Sequence, residues 1–391
     1  ATIEKVGTML AEVKALHDAG KYKPAQAISR DALKLARTAH FRPLEAETLY
    51  WHGWLLALLG DAKESERSLV EAVYAARAGR DDITLIRASV KLIYVLGGLA
   101  TRYDDAHFWE GMVRADLERI GGNRDLECQM LSNMGSVQIL EGHGEEAQRA
   151  FEHALQLAEQ DDQMRGKILS NLSIVYLDQK RFDEALKTAS QSLELTARTR
   201  GADHVSAAYA HEVLGRAYWG KKDYKMAHAE IERALNMYKR SLGPGHRQVS
   251  DGMDALAELL RQEGRYSEAV ETSRRALELK EKALGPEHSD LSYSLLGLGF
   301  GYLGVGQAAK AVPLFERSLR LSVEDPLKQA EGSFGLARAL WTTGQDRPRA
   351  RTLALEALGY YKKRSEDEEV AHISEWLAST SGSGSKKTAH R

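Results

Sequence analysis

Gly299, Gly301 and Gly304 spell the GxGxxG string that cradles a pyrophosphate in dinucleotide folds. That chemistry needs a strand before the string and a helix start after it. Here the three glycines fall inside one amphipathic helical run, so packing is expected of them instead. His204, His246 and His288 recur every 42 residues, but a shared metal requires ligands that converge on one point. They are expected to cap or pack helix starts. Cys128, the single cysteine, has no cysteine or histidine close to it in sequence and reads as a buried, inert thiol. Asn171-Leu-Ser173 matches a glycosylation acceptor but lies mid-helix. Carboxylate pairs such as Asp161-Asp162 and the run Glu366 to Glu369 fall at turns and helix starts, where solvation and the helix dipole account for them. None is matched with a nucleophile or a phosphate loop. No catalytic residue, metal or cofactor is expected.

The elements that must position any binding residues are helical. Hydrophobic residues make up 43% and charged residues 28% of 391, and seven prolines leave few helix breakers. With 54 Lys+Arg against 56 Asp+Glu, the formal charge of −2 supplies no global field toward nucleic acid or an anionic membrane. No apolar run reaches the roughly 18 to 20 residues of a membrane helix. The first thirty residues lack a signal-peptide pattern. With one cysteine and no disulfide available, the expected compartment is the cytoplasm. A chain that starts at Ala1 reads as processed, or as a piece of something larger.

The chain repeats itself. Lys180-Arg-Phe-Asp-Glu-Ala185, Lys222-Asp-Tyr-Lys-Met-Ala227 and Gly264-Arg-Tyr-Ser-Glu-Ala269 each give a polar turn, an aromatic, two polar residues and an alanine. The alanine position recurs at Ala25, Ser65, Ala106, Ala147, Ala185, Ala227, Ala269, Ala311 and Ala350, always 38 to 42 residues on. Twelve residues before it stand Gly53, Gly135, Gly215, Ala257 and Gly299, and seven after it Ala32, Ala72, Ala154, Ser192, Ala234, Ala276, Ser318 and Ala357. Small residues at these spacings let the two helices of a hairpin, and the next hairpin, approach closely. A lone hairpin leaves one apolar face wet, and stacking covers it. The connectors Leu242-Gly-Pro-Gly-His246 and Leu284-Gly-Pro-Glu-His288 end one helix with Gly and block its continuation with Pro.

Leu214-Gly-Arg-Ala-Tyr218 and Leu298-Gly-Phe-Gly-Tyr302, with the paired small residues that follow, resemble the tetratricopeptide repeat (TPR). The Leu-Gly-Pro-x-His connectors are similar to its long-helix variant in kinesin light chains. The third repeat departs from the pattern, with Tyr94 in the small position and Gly97-Gly98 interrupting the first helix. The resemblance implies an all-α, right-handed superhelical solenoid of about nine TPR hairpins plus a C-terminal capping helix. The expected array covers 1–364, with turns near 20–25, 60–65, 101–106, 142–147, 180–185, 222–227, 264–269, 306–311 and 344–350. A capping helix is expected over 365–378 and a flexible tail over 379–391. The order of Tyr103-Asp-Asp-Ala106, Arg114-Ala-Asp-Leu-Glu-Arg-Ile-Gly121, Leu131-Ser-Asn-Met-Gly135 and Glu375-Trp-Leu-Ala378 also looks like the C-terminal sensor half of large bacterial serine/threonine kinases. No kinase motif is present.

In such a stack the first helices line the concave face. Positions 18, 15, 14 and 11 before the turn alanine are expected in the groove. They give Glu47, Tyr50, Trp51 and Trp54 in the second repeat and Gln129, Asn133, Lys167, Asn171, Tyr209 and Arg216 in the fourth to sixth. Asp251, Asp254 and Glu258 follow in the seventh, then Tyr293 and Phe300 in the eighth. An amide both donates and accepts, so Asn133 and Asn171 are expected to clamp a peptide backbone, as the resemblance also implies. Lys167 and Arg216 would then receive an acidic side chain or a C-terminal carboxylate. The expected function is a scaffold or sensor for a protein or peptide, with no nucleic-acid or membrane partner. Alternatives are a bacterial regulator gated by a small molecule or signalling peptide, and a homo-oligomer assembled through Phe108 and Trp109 or an uncovered end repeat.

Overall fold

Helix-period apolar stripes broken by a polar turn about every 17 residues fold locally as hairpins. The computed structural model describes residues 2–323 and 325–381. The first hairpin is α1 (Thr2–Asp18) with α2 (Tyr22–Thr38), the second α3 (Arg42–Leu58) with α4 (Ala62–Gly79). In the third, α5 (Asp82–Ile93) runs on as a π-helical segment, Tyr94–Leu99, before α6 (Tyr103–Arg119). Then come α7 (Arg124–Leu140) with α8 (Gly144–Leu157), α9 (Asp162–Asp178) with α10 (Phe182–Arg200), and α11 (Val205–Gly220) with α12 (Tyr224–Leu242). These six hairpins form one unit, Ala1–His246. The second unit, Arg247–Arg391, holds α13 (Arg247–Gln262) with α14 (Tyr266–Leu284), α15 (Leu291–Gly304) with α16 (Ala308–Leu321), α17 (Pro326–Thr343) with α18 (Arg347–Lys363), and a final helix, α19 (Asp367–Ser381). Residues 379–381 form the end of α19, and the rest of the tail expected over 379–391 lies outside the described residues.

The two helices of a hairpin interlock by complementary volume. A Cβ on Gly53, Gly135, Gly215 or Gly299 would come within 2.9, 2.7, 2.5 or 2.8 Å of Leu69, Phe151, Ile231 or Phe315. Each large partner follows its glycine by sixteen residues. Where the small position carries more bulk, as at Ser173 and Ala257, the matching residues shrink to Ala189 and Ser273. A bulkier residue on one helix is thus met by a smaller one on the other, as close packing requires. Ser65, Ser192 and Ser318 occupy other small positions and donate to the carbonyls of Gly53, Gly166 and Ser292, so their hydroxyls are buried without loss. Gly299 thus serves packing, as expected.

At the connectors, Gly201, Gly243 and Gly285 take φ of 93, 90 and 88°, a region that penalises any Cβ, and each closes the preceding helix. His204 and His288 accept from the backbone N–H of Ser206 and Asp290, which ties down the next helix start. In the second unit α19 packs on α18. It buries Ile373 and Leu377 and stacks Trp376 edge-on against Phe334.

Candidate functional site

First helices touch one another in series, α1 to α3, α3 to α5, α5 to α7, α7 to α9 and α9 to α11. Second helices instead meet the first helix of the following hairpin. The tighter row is the inner wall, so in the first unit the odd-numbered helices line the hollow. This unit also meets itself. Gly20, in the first turn, lies so near the start of α11 that a Cβ there would be 3.3 Å from His204 Nε2. Lys23 Nζ comes 3.3 Å from where a side chain on Gly243 would begin. His246 Nε2 donates to Leu58 O at 3.2 Å, across 188 residues. The turns of the first two hairpins therefore lie against the loops that bracket the sixth.

Among the four expected groove positions the structure separates two kinds. Positions 18 and 11 before the turn alanine are seven residues apart, two helical turns, and form one stripe. Gln129, Lys167, Tyr209, Trp54 and Arg216 lie on it and retain exposure. Positions 14 and 15 flank that stripe and turn toward neighbouring helices. Asn133 is 3% exposed, and its amide donates to Val90 O at 2.9 Å. Tyr50, 4% exposed, lies beneath the Arg87 guanidinium, 4.3 Å from the ring centroid. Asn171 is half-buried and donates to Ser136 Oγ at 3.1 Å, with its carbonyl oxygen still available.

Burial, with Lys91 and Arg200 adding, pulls the Lys167 ammonium down to about 7. The Lys167 side chain remains exposed to solvent on the inner wall. Its Nζ donates to Asn133 Oδ1 at 3.5 Å. Lys91 sits over the Trp54 ring at 4.2 Å, and burial, with Arg87 adding, lowers it to about 8. Trp54 donates its indole N–H to His17 Nε2 at 3.2 Å. His17 is lowered by burial, opposed by Asp18, with Arg200 and Lys91 contributing. Burial raises the Asp178 carboxyl, and Arg216 opposes that rise. Tyr209 is raised, chiefly by burial and next by Glu212.

The second unit's expected acidic patch is an internal network. Asp254, 3% exposed, accepts from Lys280 Nζ at 2.7 Å and from Ser294 Oγ at 2.6 Å. Lys280 also pairs with Asp251 at 2.9 Å. Asp254 therefore presents nothing to a ligand, because its carboxylate is spent on α14 and α15. Glu258 lies against Arg261. Tyr293 is exposed and Phe300 half-buried.

Cys128 is buried, donates Sγ–H to Ala154 O at 3.3 Å, and is pushed up to about 11 by burial, so it stays a thiol. Among the described residues no group of three or more His, Cys, Asp or Glu could hold a metal ion. None of their helices is long and apolar enough to cross a membrane. The sequence reading missed Lys91, Arg87, Arg200 and Tyr94. Tyr94 lies in the π segment with its ring edge-on to Trp54.

Stacked helical hairpins with an inner wall of polar and aromatic residues make this an all-α repeat solenoid. Residues 165–240 and 248–322 match the tetratricopeptide repeat family, and the chain carries tetratricopeptide repeats over those residues. A Rap protein complexed with competence and sporulation factor shares the fold at 15% identity and a TM-score of 0.62, over 86% of this chain and 97% of that one. The apo form of RapI is similar at 12% identity and a TM-score of 0.51, over 85% and 96%. A signal transduction ATPase with numerous domains and a tetratricopeptide repeat sensor, from Pyrococcus horikoshii, is similar at 14% identity and a TM-score of 0.56, over 89% of this chain and 55% of that one. No curated protein matches the chain.

Proposed function

We propose that this protein is a binding scaffold or sensor that acts without catalysis, holding an extended peptide or partner segment in the hollow of its first unit. The observation that carries the reading is the stripe of Trp54, Gln129, Lys167, Tyr209 and Arg216 on an inner wall whose ends nearly meet. Exposed amide, cationic and aromatic groups in one enclosed row suit a backbone with mixed side chains better than they suit a flat partner. A Rap protein of the same fold is complexed with competence and sporulation factor, and a peptide is the ligand proposed here. Asn171, with its free carbonyl oxygen, is the proposed backbone clamp, and the compartment is the cytoplasm. The finer proposal is a regulatory part of a bacterial signalling kinase, for which phosphoryl transfer by the parent protein with and without peptide is the assay.

The test is calorimetric titration with peptides selected on the intact chain. Asn171→Ala should weaken binding by about 1 to 3 kcal/mol with helicity unchanged. Unchanged affinity in Asn171→Ala, Gln129→Ala and Tyr209→Ala together would remove the hollow as the site. The contacts that bring the first unit back on itself favour a second reading, in which the ligand gates that closure. Scattering with and without peptide would show a change of dimension under that reading and none under a passive scaffold.

A further inference from the structure

The two edges that close the first unit on itself meet at histidines whose lone pairs are already in use. His204, the residue that caps α11, accepts the Ser206 N–H through Nδ1 at 3.1 Å, so the proton of its neutral ring sits on Nε2. That nitrogen is buried with no hydrogen-bond partner among the described residues. It faces Gly20 in the first turn, 3.3 Å from where a Cβ there would stand. His17, on Gly20's side of the seam, accepts the Trp54 indole N–H through Nε2 at 3.2 Å and turns Nδ1 toward Asp18 Oδ1 at 3.0 Å. A second proton on either ring needs the lone pair that holds a protein N–H, so each histidine must be neutral while its contact lasts. At His204 the added charge would also stand at the positive end of α11 and near Arg200. His246 behaves differently, because its Nε2 donates to Leu58 O, a bond that a charged ring can also make.

We propose that His204 and His17 form a proton-sensitive latch, which holds the first unit closed while both rings are neutral and lets the seam part when they take up protons. The groups that face the pair are Asp18 on α1, Tyr22 on α2, Trp51 and Trp54 on α3, Lys91 on α5, Tyr94 in the π segment and Arg200 on α10. Lys91 and Arg200 disfavour a charged ring. Asp18 is the acid that favours one, and its side chain is 68% exposed. Asp203, next to His204 in sequence, pairs with Arg240 instead. Burial, then Arg200 and His17, lower the His204 ring to about 4 against Asp18, and burial is also the largest influence lowering His17. Because the closed-state values lie below the ordinary 6.5, closure is fully favoured above that pH and is lost as pH falls from there toward about 4. A charge on one ring opposes a charge on the other while the seam is shut, so opening takes up both protons together. The latch concerns how the unit closes and not what it holds, so it stands or falls separately from the peptide reading.

The experiment uses the full chain without ligand, carrying spin labels at Ala19→Cys and Ala202→Cys, exposed positions on the two sides of the seam. Dipolar broadening between the labels is followed from pH 8 to pH 4.5, beside far-ultraviolet dichroism and the ring resonances of the histidines. Broadening should be present at pH 8 and disappear in acid while helicity is kept, over the range in which His17 and His204 take up protons. His204→Asn keeps an acceptor for the Ser206 N–H, and His17→Gln keeps one for Trp54, yet neither amide titrates. Each should move the midpoint of opening by at least about one pH unit toward acid, and the double variant should stay closed throughout. His143→Gln, an exposed histidine, should follow the wild type. Broadening that persists after both rings are protonated would overturn the proposal, and so would a double variant that opens with the wild-type profile. Helicity lost together with the broadening would mean acid unfolding and would overturn it as well. The comparison of broadening with ring protonation is made on the native histidines, so it decides the matter even if a variant fails to close.

Discussion

Asn133 donates its side-chain amide to the carbonyl of Val90, 43 residues earlier, at 2.9 Å, and so fastens the fourth hairpin to the third through a polar bond in a buried place. Asn133→Ala should therefore act first on stability. It leaves a buried carbonyl without that donor, and urea denaturation should show a loss of about 1 to 3 kcal/mol. Asn171→Ala, half-buried and bonded to a hydroxyl, should cost less than about 1 kcal/mol. Equal losses for the two would contradict the distinction drawn between them.

The glycines divide into two kinds that a stability series can separate. Gly215→Ala would press a methyl to 2.5 Å from Ile231 Cγ1 and 3.1 Å from the Ala227 carbonyl oxygen, and it should destabilise by about 1 to 3 kcal/mol. Gly111, exposed in the middle of α6, has nothing within 4 Å of that point. Gly111→Ala should stabilise by about 0.5 to 1 kcal/mol. Thermal melts of the two variants should move in opposite directions.

The hairpins were legible because small residues repeat at spacings that only interlocked helices need. The large partner sixteen residues after each glycine was equally present in the sequence, and it becomes meaningful once the helices are seen to face each other there. The groove was half legible. Positions 18 and 11 before the turn alanine share a stripe whatever the neighbours do, whereas the direction taken by 14 and 15 depends on how closely the next hairpin packs. That packing buried Asn133, Tyr50 and Asp254. Lys91 occupies position 15 of the third repeat and is a lone ammonium in an apolar helix, a signal that the irregular Tyr94 and Gly97-Gly98 obscured. Arg200, the last residue of α10, has no periodic position.

Lys280 holds Asp254 and Asp251 from α14, and burial, which alone would lower its ammonium, is outweighed by the two carboxylates. Lys280→Ala would leave Asp254 buried and uncompensated, with Ser294 as its remaining donor. A loss of about 3 to 5 kcal/mol is expected by chemical denaturation. A loss under 1 kcal/mol would mean that water reaches the site freely.

Glu331, on α17, has its carboxyl raised to about 7 by burial, with Glu258 and Asp325 adding and Lys328 and Arg261 opposing. Because the folded value exceeds the unfolded one, the folded state holds the proton more tightly. The contribution to stability is full below the ordinary 4.5 and is lost as pH rises through about 7. Glu331→Gln should therefore gain on the wild type between pH 5 and 8, by about 1 to 3 kcal/mol. Parallel stability curves across that window would show the carboxyl to be solvated.

An open spring answers a load by stretching a little at every coil. The contact of His246 with Leu58, and of Gly20 with His204, gives the first unit a clasp instead. A clasp resists small pulls and then releases all at once, so a chain binding as proposed would have to enter lengthwise or spring it. Under the gated reading proposed above, springing the clasp would make the answer to occupancy a switch rather than a dial.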